Sequence, residues 1–170
     1  MGLKVFVGTA KGREDWLAQC LVSMGSREVR VISSGAYELG KLSTIYWHHG
    51  GDRFLFLQDS VEVLSDEFWE RLEEFDGSVG LLPEPAPFGC YMGVYERKHL
   101  KDFVWPVMRS KEDSIEWETR WVRDYVDRVG GVPVMFPELT DATGRVESRF
   151  GRENLVLENE MFRKWKGTWR

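Results

Sequence analysis

The chain of 170 residues is 42% hydrophobic and 14% aromatic, which is too rich in core-forming side chains for a disordered protein. This length suits one domain with a substantial buried core. The formal net charge of −5 provides no overall basic field for nucleic acid, although a local basic patch is compatible with it.

Apolar periodicity predicts strands and helices that alternate along the chain. In chain order the predicted elements are strand 4–7, helix 14–24, strand 29–32, helix 39–47, strand 54–57, helix 65–75, strands 79–82 and 91–95, helix 114–129, strand 132–136 and helix 155–165. Ser65 is the predicted N-cap of the third helix. The alternation predicts one α/β domain, 1–170, with a mostly parallel sheet flanked by helices. Residues 140–170 are predicted to form a C-terminal loop and helix extension.

Several kinds of site are excluded or weakened by the sequence. It contains no GxxxxGK[ST] phosphate loop, no GxGxxG after the first strand and no GxSxG motif. His48 and His49 are adjacent and cannot share one face of an element, which weakens a histidine-based site. Cys20 and Cys90 are predicted to be free thiols in a reducing compartment. With no long apolar run and no signal segment, we expect a cytoplasmic protein without a membrane span.

The segment from Gly40 to Leu64 contains a glycine, a helix, a Gly51-Asp52 turn, a buried strand and then Gln58-Asp59-Ser60. This order resembles the centre of GT-A-fold glycosyltransferases, in which a buried strand ends at an Asp-x-Asp motif. The first helix, the segment 88–97 and the helix that contains Glu116 resemble further parts of that family. The resemblance covers roughly 4–137. It implies a single-domain GT-A-like, Rossmann-like fold and a nucleotide diphosphate sugar as donor substrate.

The motif departs from the family pattern at both outer positions. Gln58 and Ser60 stand where the family has aspartates, and Asp59 is the remaining carboxylate. In the family this motif holds a divalent metal that bridges the donor diphosphate. A hard cation held by oxygen atoms offsets the charge that a leaving diphosphate develops. Asp59 is thus the predicted ligand of Mn²⁺ or Mg²⁺, and a metal-independent site or an inactive site are the alternatives.

An inverting transferase needs a general base for the acceptor hydroxyl, and the helix 114–129 offers two carboxylates. Glu118 is in line with the apolar face, and partial desolvation there is expected to raise its pKa. That face consists of Ile115, Val122, Tyr125 and Val129. Glu118 is therefore the first candidate base, with pairing to a nearby arginine as its alternative. Glu116, the second candidate, lies on the solvent face, where an i,i+4 pair with Arg120 is the alternative.

The resemblance also implies donor-binding residues. They are Thr9, Ala10, Lys11 and Arg13 after the first strand, Ser33 after the second, Gln58, Asp59 and Ser60 at the motif, and Gly89. A turn is the alternative for Ser33 and for Gly89, and a solvated loop cation is the alternative for Lys11. The tail adds Arg152, Lys164 and Lys166, and its last eight residues contain four basic side chains and two tryptophans. One interpretation is that this tail closes over the donor, with its lysines or arginines on the phosphates. A nucleic-acid acceptor contact or a solvated end that docks its tryptophans are the alternatives.

These observations predict a glycosyltransferase that moves a sugar to an unidentified hydroxyl by inverting displacement. The acceptor class, whether protein, glycan or modified nucleic acid, is open. The alternative is a non-catalytic binding protein that keeps the nucleotide cleft and has lost the metal motif. A nucleotidyltransferase is a weaker alternative, because that class needs paired carboxylates for its metal and no second pair is well placed.

Overall fold

The computed structural model of the protein describes residues 2–83, 87–139 and 155–165. Its strands are β1 Lys4–Gly8, β2 Val29–Ile32, β3 Arg53–Gln58, β4 Val61–Val63, β5 Val79–Gly80, β6 Gly93–Glu96, β7 Leu155–Glu158 and β8 Phe162–Trp165. Its α-helices are α1 Glu14–Ser23, α2 Tyr37–His48, α3 Glu67–Glu73, α4 Arg97–Leu100 and α5 Lys111–Val129, and a 3₁₀ helix spans Gly89–Tyr91. The predicted α/β class is confirmed. No helix in these described ranges has the length and apolar character needed to cross a bilayer.

The main sheet has the strand order β2-β1-β3-β6-β5. β1 pairs in parallel with both β2 and β3, whereas β6 runs antiparallel to β3 and β5. The sheet is therefore mixed, where the sequence predicted a mostly parallel one. Two neighbouring strands run parallel only when a crossover, usually a helix, connects them. Among the described residues between β5 and β6 there is only a 3₁₀ helix, and these two strands are antiparallel.

The two faces of the main sheet have different cores. Alternate residues of β1 show the division, because Val5 and Val7 pack on one face and Phe6 on the other. The first face packs against α1, α3 and Phe162 of β8. The second face packs against α2 and α5 and is rich in aromatic side chains. Helices thus cover both faces of the sheet, as in a layered α/β domain.

The C-terminal residues 155–165 form a β-hairpin, so the predicted helix there is wrong. β8 pairs antiparallel with both β7 and β4, which gives a second sheet of order β4-β8-β7. The Asn159 side chain shapes the turn by accepting hydrogen bonds from the backbone N–H groups of Met161 and Phe162. Phe162 and Lys164 are buried and Arg163 and Trp165 less so, which is the alternation of a strand.

Three smaller predictions also differ from the structure. The strand predicted at 132–136 is reduced to a single parallel bridge between Gly80 and Val134. Asp66, rather than Ser65, is the N-cap residue of α3. α5 begins three residues before the predicted start, because Ser110 and Asp113 form a capping box ahead of it. Its C-terminal end at Gly130 is as predicted, with the glycine in the left-handed region at φ 82°.

Candidate functional site at the carboxyl edge of the sheet

The register of β1 and β3 brings their carboxyl ends together. Gly8 is paired with Gln58, and the N–H of Asp59 donates to the Gly8 carbonyl oxygen at 3.0 Å. The N–H of Thr9 donates to the Ile32 carbonyl oxygen of β2, also at 3.0 Å. Thr9 and Asp59 therefore lie side by side where three parallel strands end. In open α/β sheets this edge is the usual place for a ligand.

The Asp59 carboxylate is buried and paired with Arg13. Asp59 is 3% exposed. Arg13 Nε lies 2.9 Å and 2.7 Å from the two carboxylate oxygens, and Nη2 lies 2.5 Å from Oδ1. Thr9 Oγ1 donates to Oδ2 at 2.7 Å. Charge-assisted bonds of this forked kind stabilise a carboxylate that would otherwise be costly to bury. Three residues that the sequence assigned to the site thus meet in one cluster.

Lys164 reaches the same edge from β8. It is 7% exposed, and its Nζ donates to Gln58 Oε1 at 2.7 Å and to Ser60 Oγ at 2.9 Å. Gln58 and Ser60, the two side chains that the resemblance aligns with the outer aspartates, therefore bind one ammonium group. The pairing is fixed by the backbone, because the N–H of Trp165 donates to the Ser60 carbonyl oxygen at 2.7 Å.

Lys41 is a further member of the cluster that the sequence analysis missed. This α2 residue is only 5% exposed, and its Nζ donates to the Tyr37 carbonyl oxygen at 3.1 Å. A Cβ atom on Gly8 would lie 2.8 Å from Lys41 Cδ, so this glycine makes room for the lysine stem. Burial lowers the pKa of Lys41, and the charges of Glu38 and Asp59 partly oppose that effect. Its burial could have been predicted, because Lys41 lies four residues before Ile45 and therefore on the same, buried face of α2.

We call the group of Thr9, Arg13, Lys41, Gln58, Asp59, Ser60 and Lys164 the edge cluster. It contains three cationic side chains and one carboxylate. Glu62 lies close by, but its Oε2 is 3.2 Å from Arg163 Nη1 and accepts from Trp165 Nε1 at 2.9 Å. The charge of half-buried Glu38 also acts on Lys41. Within the edge cluster itself cationic side chains outnumber carboxylates, although the whole chain is acidic. Such a group of donors suits an anion with several oxygen atoms.

Cys20 lies beneath the edge cluster, with its Sγ 3.8 Å from the Gln58 carbonyl oxygen. It is a free, fully buried cysteine, as predicted, whereas the Cys90 side chain lies outside the described part of the chain. Burial, reinforced by the charge of Asp59, raises the pKa of the Cys20 thiol to about 12. A thiol with so little thiolate at neutral pH is not a nucleophile.

The two candidate bases differ in exposure as the sequence predicted. Glu118 is half-buried on the side of α5 that also buries Val122 and Tyr125, whereas Glu116 is exposed. Burial raises the pKa of Tyr95, followed by the effects of Tyr125 and Tyr91, and the charge of Glu118 adds a smaller contribution in the same direction. No ion pair joins Glu116 to Arg120 among the described contacts, and the Arg120 guanidinium instead lies 4.7 Å from the centre of the Trp117 ring.

α5 packs against the 3₁₀ helix Gly89–Tyr91 and against α2. The 3₁₀ helix leads into β6, whose first residue, Gly93, pairs with Phe56 near the carboxyl end of β3. Gly89 is buried at the start of this helix. Glu118 and Gly89 therefore belong to elements that border the edge of the sheet where the edge cluster lies. The role of Glu118 as base stays a prediction.

The remaining predicted donor residues are less informative. Ala10 and Lys11 are exposed in the loop after β1, and Ser33 is exposed after β2. Arg152 and Lys166 lie outside the described residues.

A separate groove of about 420 Å³ lies alongside α5. Its lining residues are Phe103, Val104, Trp117, Arg120, Trp121, Asp124, Asp127 and Arg128. None of the predicted donor-binding residues that the structure describes lines it. The buried, polar and cationic chemistry is at the carboxyl edge, and we therefore place the candidate site there and not in the groove.

The described side chains do not form a donor set for a divalent metal. No group of three or more His, Cys, Asp or Glu residues among them could hold a metal ion. Both oxygens of Asp59 accept hydrogen bonds from Arg13, and one of them also from Thr9. Gln58 and Ser60 offer neutral oxygen atoms, which already bind Lys164. Divalent cations of this class favour carboxylate ligands, and this edge presents cations instead.

No protein-family model, curated protein or solved structure matches the chain. The resemblance to GT-A glycosyltransferases therefore rests on the order of residues in this sequence, and function has to be argued from the chemistry of the site.

Proposed function

We propose that the chain is a glycosyltransferase that binds a nucleotide diphosphate sugar at the edge cluster. The observation that supports this most directly is the charge of the cluster, where Arg13, Lys41 and Lys164 accompany the single carboxylate of Asp59. A diphosphate carries several negative charges and accepts hydrogen bonds from guanidinium and ammonium groups, so it matches the cationic side chains gathered at this edge.

The arrangement of the elements also supports the proposal. The edge cluster lies at the carboxyl ends of β1 and β3, where open α/β sheets bind nucleotides. The chain order of β1, α1, β2, α2 and β3, followed by the altered motif, is the order that the GT-A resemblance implies. The antiparallel β6 and the long α5 follow as separate elements that border the same edge.

In the proposed reaction the acceptor hydroxyl attacks the sugar carbon, and the bond to the diphosphate breaks in a single displacement. Negative charge develops on the diphosphate as it leaves. The cationic side chains of the edge cluster are already in position to stabilise that charge, which is the kind of preorganised electrostatic effect on which such reactions depend. Glu118 is the proposed general base that takes the proton of the acceptor hydroxyl.

A non-catalytic nucleotide-binding protein is the second candidate. It is favoured by the engagement of Asp59, whose carboxylate accepts three hydrogen bonds from Arg13 and one from Thr9. An anion cleft of this kind can bind a nucleotide without catalysing any transfer. The two candidates predict the same binding and differ in whether the sugar leaves the donor.

The test begins with thermal unfolding of the purified protein in a panel of nucleotide diphosphate sugars, each with Mn²⁺ and with EDTA. A donor that binds only the folded state at about 100 times its Kd adds about 2.7 kcal/mol to the free energy of unfolding and raises Tm. If no donor raises Tm under either condition, the transferase proposal is wrong.

The second step measures release of the nucleoside diphosphate from any donor that binds. We expect Glu118→Gln to keep donor binding and to reduce release by about 10²-fold or more, because a general base typically contributes that much. Glu112→Gln is the matched control, since it alters an exposed carboxylate on the same helix, and Glu116→Gln tests the second candidate base. Binding without release by the wild type would support the non-catalytic candidate.

A further inference from the structure

We propose that the ammonium group of Lys164 takes the place of the divalent cation in this site, so that donor binding is independent of metal. This inference rests on the proposed function for its ligand. The observation behind it is that Lys164 Nζ bridges Gln58 Oε1 and Ser60 Oγ, at 2.7 Å and 2.9 Å. These are the two positions at which the resemblance leads one to expect metal-binding aspartates.

The charges of the side chains at positions 58 and 60 suit an ammonium group better than a divalent metal ion. Two carboxylates balance a divalent ion, whereas the neutral oxygens of Gln58 and Ser60 suit a single ammonium charge. Asp59, between these two positions, does not need the lysine for charge balance, because the guanidinium of Arg13 neutralises its carboxylate at 2.5 Å. A divalent ion brought to this edge would meet both of these cations and would find no carboxylate free of a cationic partner among the three motif residues.

The lysine is held in place by the fold. In the pairing of β8 with β4, Lys164 lies opposite Val61. On the adjacent residue, the Trp165 N–H donates to the Ser60 carbonyl oxygen at 2.7 Å, and Trp165 Nε1 donates to Glu62 Oε2 at 2.9 Å. The ammonium group is therefore positioned before any ligand arrives. A fixed cation needs little reorganisation when charge develops next to it.

The hairpin also provides a matched control residue. Arg163 precedes Lys164 on β8, has the same charge and is less buried, and it pairs with Glu62 and Glu158 and not with Gln58 or Ser60. Replacing Arg163 removes a positive charge from the same strand and leaves the contacts of Lys164 to Gln58 and Ser60 in place. A general electrostatic effect on anion binding would appear in both variants, whereas a site effect would appear only at Lys164.

The first test uses inorganic pyrophosphate, which probes the diphosphate contact for any nucleotide. Calorimetric titration in EDTA is compared for the wild type, Lys164→Met and Arg163→Met. We expect Lys164→Met to weaken pyrophosphate binding about tenfold or more and Arg163→Met to change it less than about threefold. Equal losses in the two variants, or no loss at Lys164, would overturn the inference. If Lys164→Met does not fold, Lys164→Gln replaces it, because its amide can still bond to Ser60 Oγ.

The second test asks, with no donor present, whether a divalent cation can bind where Lys164 Nζ lies. Mn²⁺ binding is followed by electron paramagnetic resonance in the wild type and in the triple variant Gln58→Asp, Ser60→Asp, Lys164→Ala. We expect the triple variant to bind one Mn²⁺ and the wild type to bind none at this edge. Mn²⁺ binding by the wild type, or none by a folded triple variant, would contradict the assignment of Lys164 to the metal position. Because this result does not depend on a nucleotide, failure of the proposed transferase function would be seen separately.

Discussion

The edge cluster and the aromatic layer on the second face of the sheet differ in what they contribute. The aromatic layer buries large rings in close contact, with Phe88 and Tyr95 centroids 4.5 Å apart and Trp121 and Tyr125 stacked at 5.9 Å. Among its polar groups, Tyr125 Oη lies 2.8 Å from Ser78 Oγ and accepts from the Glu96 N–H, whereas Trp121 Nε1 is buried without a hydrogen-bond partner among the described residues. The edge cluster instead buries charged side chains around a single carboxylate.

This difference indicates that the aromatic layer mainly stabilises the fold, whereas the edge cluster mainly serves binding. Burial of apolar and aromatic area stabilises a fold by roughly 25 cal/mol per Å², and aromatic pairs add to that. Burial of charged groups is costly even when they are paired. A fold that depended only on stability would place apolar side chains at positions such as Lys41. The edge cluster is therefore the region where we expect substitutions to affect binding more than stability.

The largest expected effect is in the aromatic layer. We expect Trp121→Ala to lower the free energy of unfolding by about 3–5 kcal/mol, because it removes a fully buried side chain from among several rings. The measurement is urea unfolding followed by circular dichroism. Trp47→Ala is the control, since Trp47 is 65% exposed and its loss should cost less than about 1 kcal/mol. Similar losses for the two tryptophans would contradict the comparison.

The next effect concerns the carboxylate of the edge cluster. Asp59→Asn removes the negative charge that balances Arg13, and we expect a loss of about 1–3 kcal/mol in the free energy of unfolding. Asp52→Asn, at an exposed position in the turn before β3, is expected to leave stability nearly unchanged. The same urea titration measures both variants. If Asp59→Asn is as stable as the wild type, the Arg13 pair does not stabilise the fold.

A smaller effect of opposite sign is expected at Lys41. Lys41→Met replaces a buried cation with an apolar side chain of similar length, and we expect it to raise stability by about 0.5–2 kcal/mol while weakening pyrophosphate binding. Lys101→Met, at an exposed position, is the control. A variant that loses stability and keeps pyrophosphate binding would show that Lys41 is a structural residue.

The stability gain at Lys41 should depend on pH. Burial lowers the folded-state pKa of Lys41 below its ordinary value of 10.5. Between the folded pKa and 10.5 the unfolded chain binds more protons at this residue, so the free energy of unfolding of the wild type rises with pH in that window. The difference in Tm between Lys41→Met and the wild type should therefore shrink as the pH approaches 10.5. A difference that stays constant would mean that the lysine is not desolvated.

The last and smallest effect concerns the Cys20 thiol, which we expect to be unreactive in the folded protein. In a Cys90→Ser background we expect Cys20 to remain unmodified by a thiol reagent at about pH 8 in the folded protein and to react fully in urea. The reasons are its complete burial and a thiol pKa raised to about 12. Absorbance of the released chromophore follows the reaction. Rapid modification of the folded protein would show that solvent reaches Cys20 beneath the edge cluster.

Much of the main sheet could be predicted because its signals are local. The apolar run of β3 indicated a strand buried on both faces, and the periodicity of α5 separated half-buried Glu118 from exposed Glu116. The end of β3 also placed Gln58, Asp59 and Ser60 together at the edge of the sheet. These features depend on residues that are close in sequence, and periodicity reports them directly.

The contacts that define the edge cluster could not be predicted, because they are nonlocal. β8 becomes a strand by pairing with β4, about a hundred residues earlier in the chain, whereas the sequence predicted a helix over 155–165. The sequence assigned Lys164 to the donor phosphates but gave no sign that it binds Gln58 and Ser60. The same holds for the pair between Arg13 and Asp59, which joins residues 46 positions apart.

The central claim is that the chain's own cations form a diphosphate site at the carboxyl edge of the sheet. The most direct measurement is calorimetric titration of the wild type with UDP, GDP, ADP and dTDP, each in EDTA and again with Mn²⁺. We predict that at least one of them binds, with an affinity that agrees within about threefold between the two conditions. Binding that requires Mn²⁺, or no binding by any of the four, would contradict the claim.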